Sequence, residues 1–354
     1  MLLTTSILAG SLVFSSALAS DPLPRRPGVP VETIAGVEVV LGEVTTAAGH
    51  RLRTITTRPP GEAKLPAILL VGWLSCDSVE SPRGPQEGFA RVLHGLAARS
   101  GHVLVRVEKP GVGDSEGPPC GDCDFRTELE GYRAALRAAK ALPFVDEKRV
   151  FILGMSNGGG VAPLVGEGES VAGYVASGGW VKTWFEHMME HERRKLTLSG
   201  RTPPGEASAR MKSIAEFYGL YLRGKKTPAE VLAARPDLAP AWDDEPTRQY
   251  GRPAAFYHQL EELNLAEAWS RVDVPVLAIH GEFDWIMSAD DARLIADIVN
   301  RNRAGLASCV IVPGMDHFYE THPSFEAAFR NAGRGKRADE EVVATVVEWL
   351  QAAR

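Results

Sequence analysis

A serine flanked by glycines follows a short apolar run near the middle of the chain. Residues 150–153 read VFIL, and residues 154–158 read GMSNG, with two more glycines behind them. A buried strand that ends in a Gly-x-Ser-x-Gly turn and continues as a helix exposes the serine hydroxyl above the sheet. The backbone N–H of Asn157 would then face an oxyanion, helped by the positive end of the helix dipole. We therefore predict that Ser156 is a catalytic nucleophile.

A serine hydroxyl is a poor nucleophile and needs a base that a third group orients. Among nine histidines, His317 is the candidate base, because its loop follows the apolar run SCVIVPG and would reach back over the serine. His322 is a weaker candidate, and His280 lies inside the apolar run VLAIHG, where we expect a packed residue. Three more lie in a helical and polar stretch and are expected on a solvated helix face: His187, His191 and His258.

The acid should come from the loop between the serine and histidine segments. The sequence HGEFDWIM offers Glu282 and Asp284, and we favour Asp284 because it lies beyond the tight glycine turn. Asp290 belongs to a helical pattern, and Asp316 is too close in sequence to orient its own neighbour. The predicted triad, in the order nucleophile, acid and base, is Ser156, Asp284 and His317.

The rest of the sequence supplies elements that could position these groups. Residues 42–61 predict two antiparallel strands around Gly49. Continuous apolar runs, typical of parallel strands covered on both faces, occupy residues 67–73, 102–108, 149–155, 171–179, 274–281 and 307–314. Helical spacing of apolar residues occurs at 125–142 and 340–353. This alternation predicts an α/β fold with a doubly wound, mostly parallel sheet.

The alternation of strands and helices is interrupted once. From residue 181 to residue 271 the chain is helical and polar, with several prolines and an apolar cluster near residues 184–189. We predict that this segment is a helical cap over the carboxyl edge of the sheet, inserted between core residues 36–180 and 272–354.

The first residues have the pattern of an export signal. Residues 1–19 are apolar with small polar residues and end in Ala-Leu-Ala, a typical cleavage site, and a proline-rich linker follows at 20–35. We predict removal of 1–19 and export to the periplasm or the medium.

Composition narrows the classes of function. The 354 residues are 44% hydrophobic and 24% charged, which is typical of a soluble globular protein. The net charge is −6, and Lys and Arg are scattered, so the sequence gives no basic surface for nucleic acid or an anionic membrane. We expect neither nucleic acid nor stable membrane insertion, and a small molecule as substrate.

Five motifs together resemble the α/β-hydrolase superfamily, with similarity to its prolyl-oligopeptidase-like and dienelactone-hydrolase-like branches. They are LLVGW at 69–73, KPGVGDSEG at 109–117, GMSNGG at 154–159, HGEFD at 280–284 and GMDHF at 314–318. The resemblance covers the chain from about residue 37 to its end, without the cap. It implies that the backbone N–H of Trp73 is a second oxyanion donor beside that of Asn157. We expect no cofactor, and no metal because a zinc site would need four convergent ligands.

The strand order of that superfamily brings the loop of Cys76 next to the loop of Cys120 and Cys123. We therefore expect a structural disulfide from Cys76 to Cys120 or to Cys123. The fourth cysteine, Cys309, lies inside an apolar run and is expected to be a buried small hydrophobe. The spacing Cys-x-x-Cys at 120–123 also allows a redox role.

These features favour a serine hydrolase that cleaves carboxylic esters through an acyl-enzyme. A peptidase acting on short peptides is the alternative within the same chemistry. Two alternatives from other classes are a non-catalytic binding protein on a hydrolase scaffold and a thiol-disulfide oxidoreductase.

Overall fold

The computed structural model describes residues 23–353, so the predicted signal peptide at 1–19 lies outside the described residues. The strands are β1 (Glu38–Thr45), β2 (Arg51–Arg58), β3 (Leu65–Val71), β4 (Val103–Val107), β5 (Val145–Met155), β6 (Gly173–Ser177), β7 (Arg248–Gln249), β8 (Arg252–Pro253), β9 (Val276–Gly281), β10 (Ala307–Val312), β11 (Glu320–Thr321) and β12 (Lys336–Arg337). The α-helices are α1 (Gly88–Arg99), α2 (Phe125–Ala141), α3 (Asn157–Gly166), α4 (Trp184–Leu198), α5 (Pro204–Tyr218), α6 (Pro228–Ala234), α7 (Ala254–Glu261), α8 (Leu265–Ser270), α9 (Ala289–Asn302), α10 (Phe325–Arg330) and α11 (Asp339–Ala352).

One eight-stranded sheet organises the molecule, in the order β1-β2-β4-β3-β5-β6-β9-β10. The hairpin β1–β2 is antiparallel and joins β4 in an antiparallel pair, and every other neighbouring pair in this sheet is parallel. The prediction of a mostly parallel, doubly wound α/β sheet is confirmed.

Helices cover both faces of the sheet, which explains the continuous apolar runs. In β3, Leu69 and Val71 pack in the cluster that contains α2 and α3, whereas Ile68 and Leu70 pack in the cluster of α1 and α11. Successive side chains of a strand point to opposite faces, so a strand buried on both sides must be apolar at every position.

The last strand departs from this expectation. β10 lies at the edge of the sheet, and its central residues, including Cys309, are only partly buried. Cys309 is therefore half-buried rather than a buried core residue, as expected of a strand with a neighbour on one side only.

Five α-helices, α4–α8, lie between β6 and β9. They join the main core through buried residues such as Trp184, Met188 and Tyr257. Trp184 lines the same cavity as Ser156, so α4 covers the carboxyl edge of the sheet. The boundaries proposed for the cap, 181 and 271, stay a prediction. Between residues 23 and 353, no helix is long and apolar enough to span a membrane.

Candidate active site

Ser156 lies in a sharp turn between β5 and α3. Its backbone φ is 56°, a conformation that non-glycine residues rarely adopt and that is retained where the surrounding structure requires it. A Cβ atom on Gly158 would lie 2.0 Å from the carbonyl oxygen of Val71, and one on Gly154 would lie 2.2 Å from that of Gly158. Both glycines are therefore required by the turn that presents the serine hydroxyl.

His317 lies in the loop after β10 and faces the serine. Its Nε2 atom is 2.9 Å from Ser156 Oγ, and both side chains are buried. This distance is a hydrogen bond, so the imidazole is positioned to accept the hydroxyl proton.

Asp284 lies in the loop after β9 and holds the other edge of the imidazole. Its Oδ2 atom is 2.7 Å from His317 Nδ1. Its Oδ1 atom accepts hydrogen bonds from the backbone N–H groups of Ile286 and Met287, each at 2.9 Å. A carboxylate in this orientation favours a proton on Nδ1 of His317, which leaves Nε2 as the acceptor in the hydrogen bond with Ser156.

The charges of this pair stabilise each other. Burial alone would raise the pKa of Asp284, but the charge and hydrogen bond of His317, with smaller contributions from His280 and a backbone N–H, lower it to about 2. Burial alone would lower the pKa of His317, but the Asp284 carboxylate raises it above its ordinary value. Asp284 therefore stays ionised at neutral pH and stabilises the imidazolium.

The other candidate residues have different partners. Glu282 Oε2 accepts a hydrogen bond from the backbone N–H of Gly314. His322 Nε2 is 2.9 Å from Asp316 Oδ2, so these two residues pair with each other. His280 is fully buried, and its Nε2 atom is 3.4 Å from Asp284 Oδ2, which agrees with the expected packed position beside the acid.

The two expected oxyanion donors lie on adjacent loops. Asn157 opens α3, and the first N–H groups of an α-helix have no intrahelical acceptor. Trp73 follows β3 by two residues, and Gly158 packs against the backbone of Val71 and Gly72. The start of α3 therefore lies directly against the end of β3, from which the loop that starts at Trp73 continues.

Two buried cations, which the sequence reasoning did not find, fasten the loop that starts at Trp73. Lys109 Nζ donates to the carbonyl oxygens of Trp73 and Ser75, the latter at 2.6 Å. Arg252 Nε donates to the Leu74 carbonyl oxygen at 3.0 Å. Burial lowers the pKa of Lys109 to about 8, against the opposing charge of Glu128. Both cations also pair with the buried Glu128 carboxylate. Their acceptors are distant in sequence, so no local sequence pattern predicts this role.

The disulfide joins Cys76 to Cys120, one of the two expected pairings. Cys123 is a buried free thiol, and burial raises its pKa to about 11. Because Cys120 is bonded to Cys76, Cys120 and Cys123 do not pair with each other in this structure.

A cavity of about 280 Å³ adjoins Ser156 and His317. Its lining is mainly aromatic and apolar, with contributions from the loop that starts at Trp73, from α4 and from the loop after β9. His187 and His191 also line it, with exposed fractions of 3% and 6%. The expectation of a solvated face was wrong for these two histidines, because that side of α4 packs over the site, whereas His258 is half-buried outside the cavity. Across residues 23–353, no cluster of three or more His, Cys, Asp or Glu side chains could hold a metal ion.

Comparison with known proteins assigns the family. A sequence profile of the alpha/beta hydrolase family matches residues 67–328, about three quarters of the chain, so the chain belongs to that family. Its resemblance to particular branches stays a prediction.

The similar proteins include several esterases. Esterase EstD of Thermotoga maritima is 24% identical over 239 residues, which are 67% of this chain and 51% of that protein; the match thus spans about half of EstD. Est1E of Butyrivibrio proteoclasticus, solved with ferulic acid bound, superposes with a TM-score of 0.57 at 17% identity over 88% of this chain and 98% of that one. The Pyrococcus furiosus esterase Pf2001 gives 0.53 at 13% identity, with coverages of 91% and 96%. These structures share the fold.

Proposed function

We propose that this protein is a serine esterase that cleaves carboxylic esters through an acyl-enzyme. The observation that carries the proposal is the connected series of hydrogen bonds from Asp284 to His317 to Ser156, at 2.7 and 2.9 Å, at the end of an aromatic cavity. Similarity to esterases supports the same reaction class.

In the first half of the reaction, Ser156 Oγ attacks the ester carbonyl carbon while His317 Nε2 takes the hydroxyl proton. Asp284 stabilises the imidazolium by its charge and does not itself take the proton. The backbone N–H groups of Trp73 and Asn157 donate to the oxyanion, and each such donor contributes roughly 10²–10³ in rate. His317 then gives its proton to the leaving alcohol, and Ser156 keeps the acyl group.

In the second half, water replaces the alcohol. His317 takes a proton from the water, which attacks the acyl carbonyl carbon, and the same N–H groups stabilise the second oxyanion. His317 returns its proton to Ser156 Oγ as the acid product leaves, so the enzyme ends in its starting state.

The cavity favours an ester over a peptide. A peptidase of short peptides needs a charged group for the substrate's terminal amine or carboxylate. Two carboxylates line the cavity, those of Asp77 and Glu87, but both are exposed, so water and salt screen their attraction for a substrate amine. Glu186 and Arg193 of α4 are exposed as well and do not line the cavity. The apolar lining instead suits the uncharged acyl and alcohol groups of an ester.

Initial rates on a short-chain acyl ester series and an aminoacyl-anilide series, with Ser156→Ala as the blank, test this proposal. We expect ester turnover that is lost in Ser156→Ala. Anilide turnover of comparable efficiency would move the assignment to a peptidase. Without serine-dependent turnover of either series, the esterase proposal fails and a binding protein on this scaffold becomes the better account.

We also propose that the protein acts after export. The Cys76–Cys120 disulfide supports this, because disulfides persist in oxidising compartments and are rare in the cytosol. Mass spectrometry of the mature protein should find a chain that begins after Ala19, and an uncleaved chain recovered from the cytosol would overturn the proposal.

A further inference from the structure

Four rings follow one another along the cavity, and we call them the ring row: Trp184, His187, His191 and Trp285. The centroid distances are 4.6 Å between Trp184 and His187, 6.1 Å between the two histidines, and 5.5 Å between His191 and Trp285. The last two pairs are stacked, with interplanar angles of 22° and 23°. All four residues line the cavity that holds Ser156.

Each ring of the ring row has a buried nitrogen without a hydrogen-bond partner in the described part of the chain. These atoms are the Nε1 atoms of the two tryptophans and the Nδ1 atoms of the two histidines. Most buried polar side-chain atoms in proteins are paired, so these four are unusual, but they have almost no accessible surface, and a ligand in the cavity would meet other atoms of the rings. Because no hydrogen bond fixes the proton at Nδ1 of either histidine, the other ring nitrogen, Nε2, can act toward a ligand as a donor or as an acceptor.

The ring row is uncharged at neutral pH. Burial lowers the pKa of His187 well below its ordinary value, and the positive charge of Arg194 adds to the effect. Burial likewise lowers the pKa of His191 to about 3, with contributions from Lys195 and Arg194. A charged ligand group would lose its hydration here without gaining an opposite charge, so the wall favours a neutral one.

The rings that line the cavity suit an aromatic ligand group, whether they present a face or an edge to it. Aromatic rings attract each other in offset stacked or edge-to-face arrangements, beyond the effect of buried area. The volume of about 280 Å³ exceeds the roughly 150 Å³ cavity that accommodates benzene. One aromatic ring with a short chain therefore fits between the ring row and the nucleophile.

We propose that the substrate is an ester with an aromatic ring, and that His187 and His191 recognise an uncharged polar substituent on that ring, such as a hydroxyl group. This inference rests on the esterase proposal for the reaction and adds the class of substrate.

Binding to the Ser156→Ala variant tests the ligand class without turnover. The probes are three uncharged ketones that cannot be hydrolysed: 4-(4-hydroxyphenyl)butan-2-one, its 4-methylphenyl analogue and its 4-hydroxycyclohexyl analogue. Methyl replaces hydroxyl at nearly equal size, and cyclohexyl removes the flat ring. Titration calorimetry should give the hydroxyphenyl ketone a Kd at least about tenfold below either analogue, the range expected when a buried polar group gains or loses its partner. Equal or tighter binding of the methylphenyl ketone would overturn the proposal.

Phenylalanine keeps a ring at each histidine position and removes its nitrogens. In the Ser156→Ala background, His187→Phe with His191→Phe should abolish the preference for hydroxyl over methyl and leave binding of the methylphenyl ketone within about threefold. The two single variants are made separately in case the pair does not fold. The matched control is His258→Phe, whose ring lies outside the cavity against Tyr221 and the Lys226 carbonyl oxygen. A hydroxyl preference retained in the paired variant, or lost in the control alone, would contradict the role of the two histidines.

Turnover by the otherwise native enzyme separates this inference from the esterase proposal. The substrates are methyl 3-(4-hydroxyphenyl)propanoate with its 4-methyl analogue, and 4-hydroxybenzyl acetate with its 4-methyl analogue. If kcat/KM is higher for the hydroxyl compound of the first pair, the aromatic ring of the substrate belongs to its acyl side. If kcat/KM is higher for the hydroxyl compound of the second pair, the ring belongs to the alcohol side. Ester turnover without a preference in either pair overturns the substrate class alone. Selective ketone binding without ester turnover supports the ligand class and overturns the esterase proposal.

Discussion

Replacing Cys76 and Cys120 with alanine tests whether the disulfide stabilises the fold and the loop that carries Trp73. The two cysteines are 44 residues apart in sequence. Cys76 lies three residues after Trp73, the expected oxyanion donor. The loop-closure relation for a cross-link of this length gives a loss of about 4 kcal/mol in the free energy of unfolding. Domains are typically stable by about 5–15 kcal/mol, so the loss should be large but need not prevent folding.

The effect on catalysis should be smaller than the loss of a whole oxyanion donor. Lys109 and Arg252 still bind the carbonyl oxygens of this loop when the disulfide is absent. We therefore expect kcat to fall by less than the roughly 10²–10³ that one donor contributes, with KM little changed.

Urea unfolding followed by far-UV circular dichroism measures the stability change, and ester hydrolysis measures the effect on kcat. The wild type in excess dithiothreitol should lose as much stability as the double variant, and the double variant should not respond to the reductant. Cys309→Ser, which removes a half-buried free thiol, is the matched control and should keep the wild-type response. Equal unfolding midpoints for the oxidised wild type and the double variant would refute this reasoning.

Other predictions concern the residues at the nucleophile. Asp284→Asn should lower kcat by about 10⁴, because an amide no longer favours the tautomer of His317 that has its proton on Nδ1. A loss of kcat below about tenfold in steady-state ester hydrolysis would contradict the role of Asp284 in orienting His317. The wild-type kcat/KM should rise with pH through a midpoint above 6.5, because His317 must be neutral to act as base and Asp284 raises its pKa. In Asp284→Asn the midpoint of the pH profile should be lower. An unchanged midpoint would refute the assignment. Gly158→Ala should yield unstable or inactive protein, since its Cβ would lie 2.0 Å from the Val71 carbonyl oxygen; wild-type activity and melting temperature would show that the turn tolerates a side chain.

Local sequence carried much of the information about the sheet and the serine turn. The run before Ser156 is apolar at every position because β5 has helices on both faces, and the glycines beside the serine are those that leave no room for a Cβ atom. Both features follow from the conformation of a few consecutive residues. Asp284 and His317 lie in the loops after β9 and β10, which are parallel neighbours in the sheet. Their catalytic roles stay predictions.

The side of α4 that faces the site could not be predicted in the same way. His191 lies between two glutamates in sequence and contacts the distant rings of Trp285 and Tyr250. His187 contacts the rings of Trp180 and Trp184, which lie closer in sequence. The role of Lys109 could not be predicted from its neighbours either, because the backbone carbonyl oxygens that it binds lie more than thirty residues away in sequence. The edge position of β10 likewise depends on the order of strands in the sheet and leaves no trace in its own residues.

The central claim is that Ser156 is the nucleophile of an acyl-enzyme. Its most direct test is intact-protein and peptide mass spectrometry after reaction with an alkyl fluorophosphonate, which loses fluoride to a nucleophilic serine and stays attached. We predict one phosphonyl group per chain, located on Ser156, with no labelling in Ser156→Ala and strongly slowed labelling in His317→Ala. Labelling at another residue, or ester hydrolysis that persists in Ser156→Ala, would contradict the account.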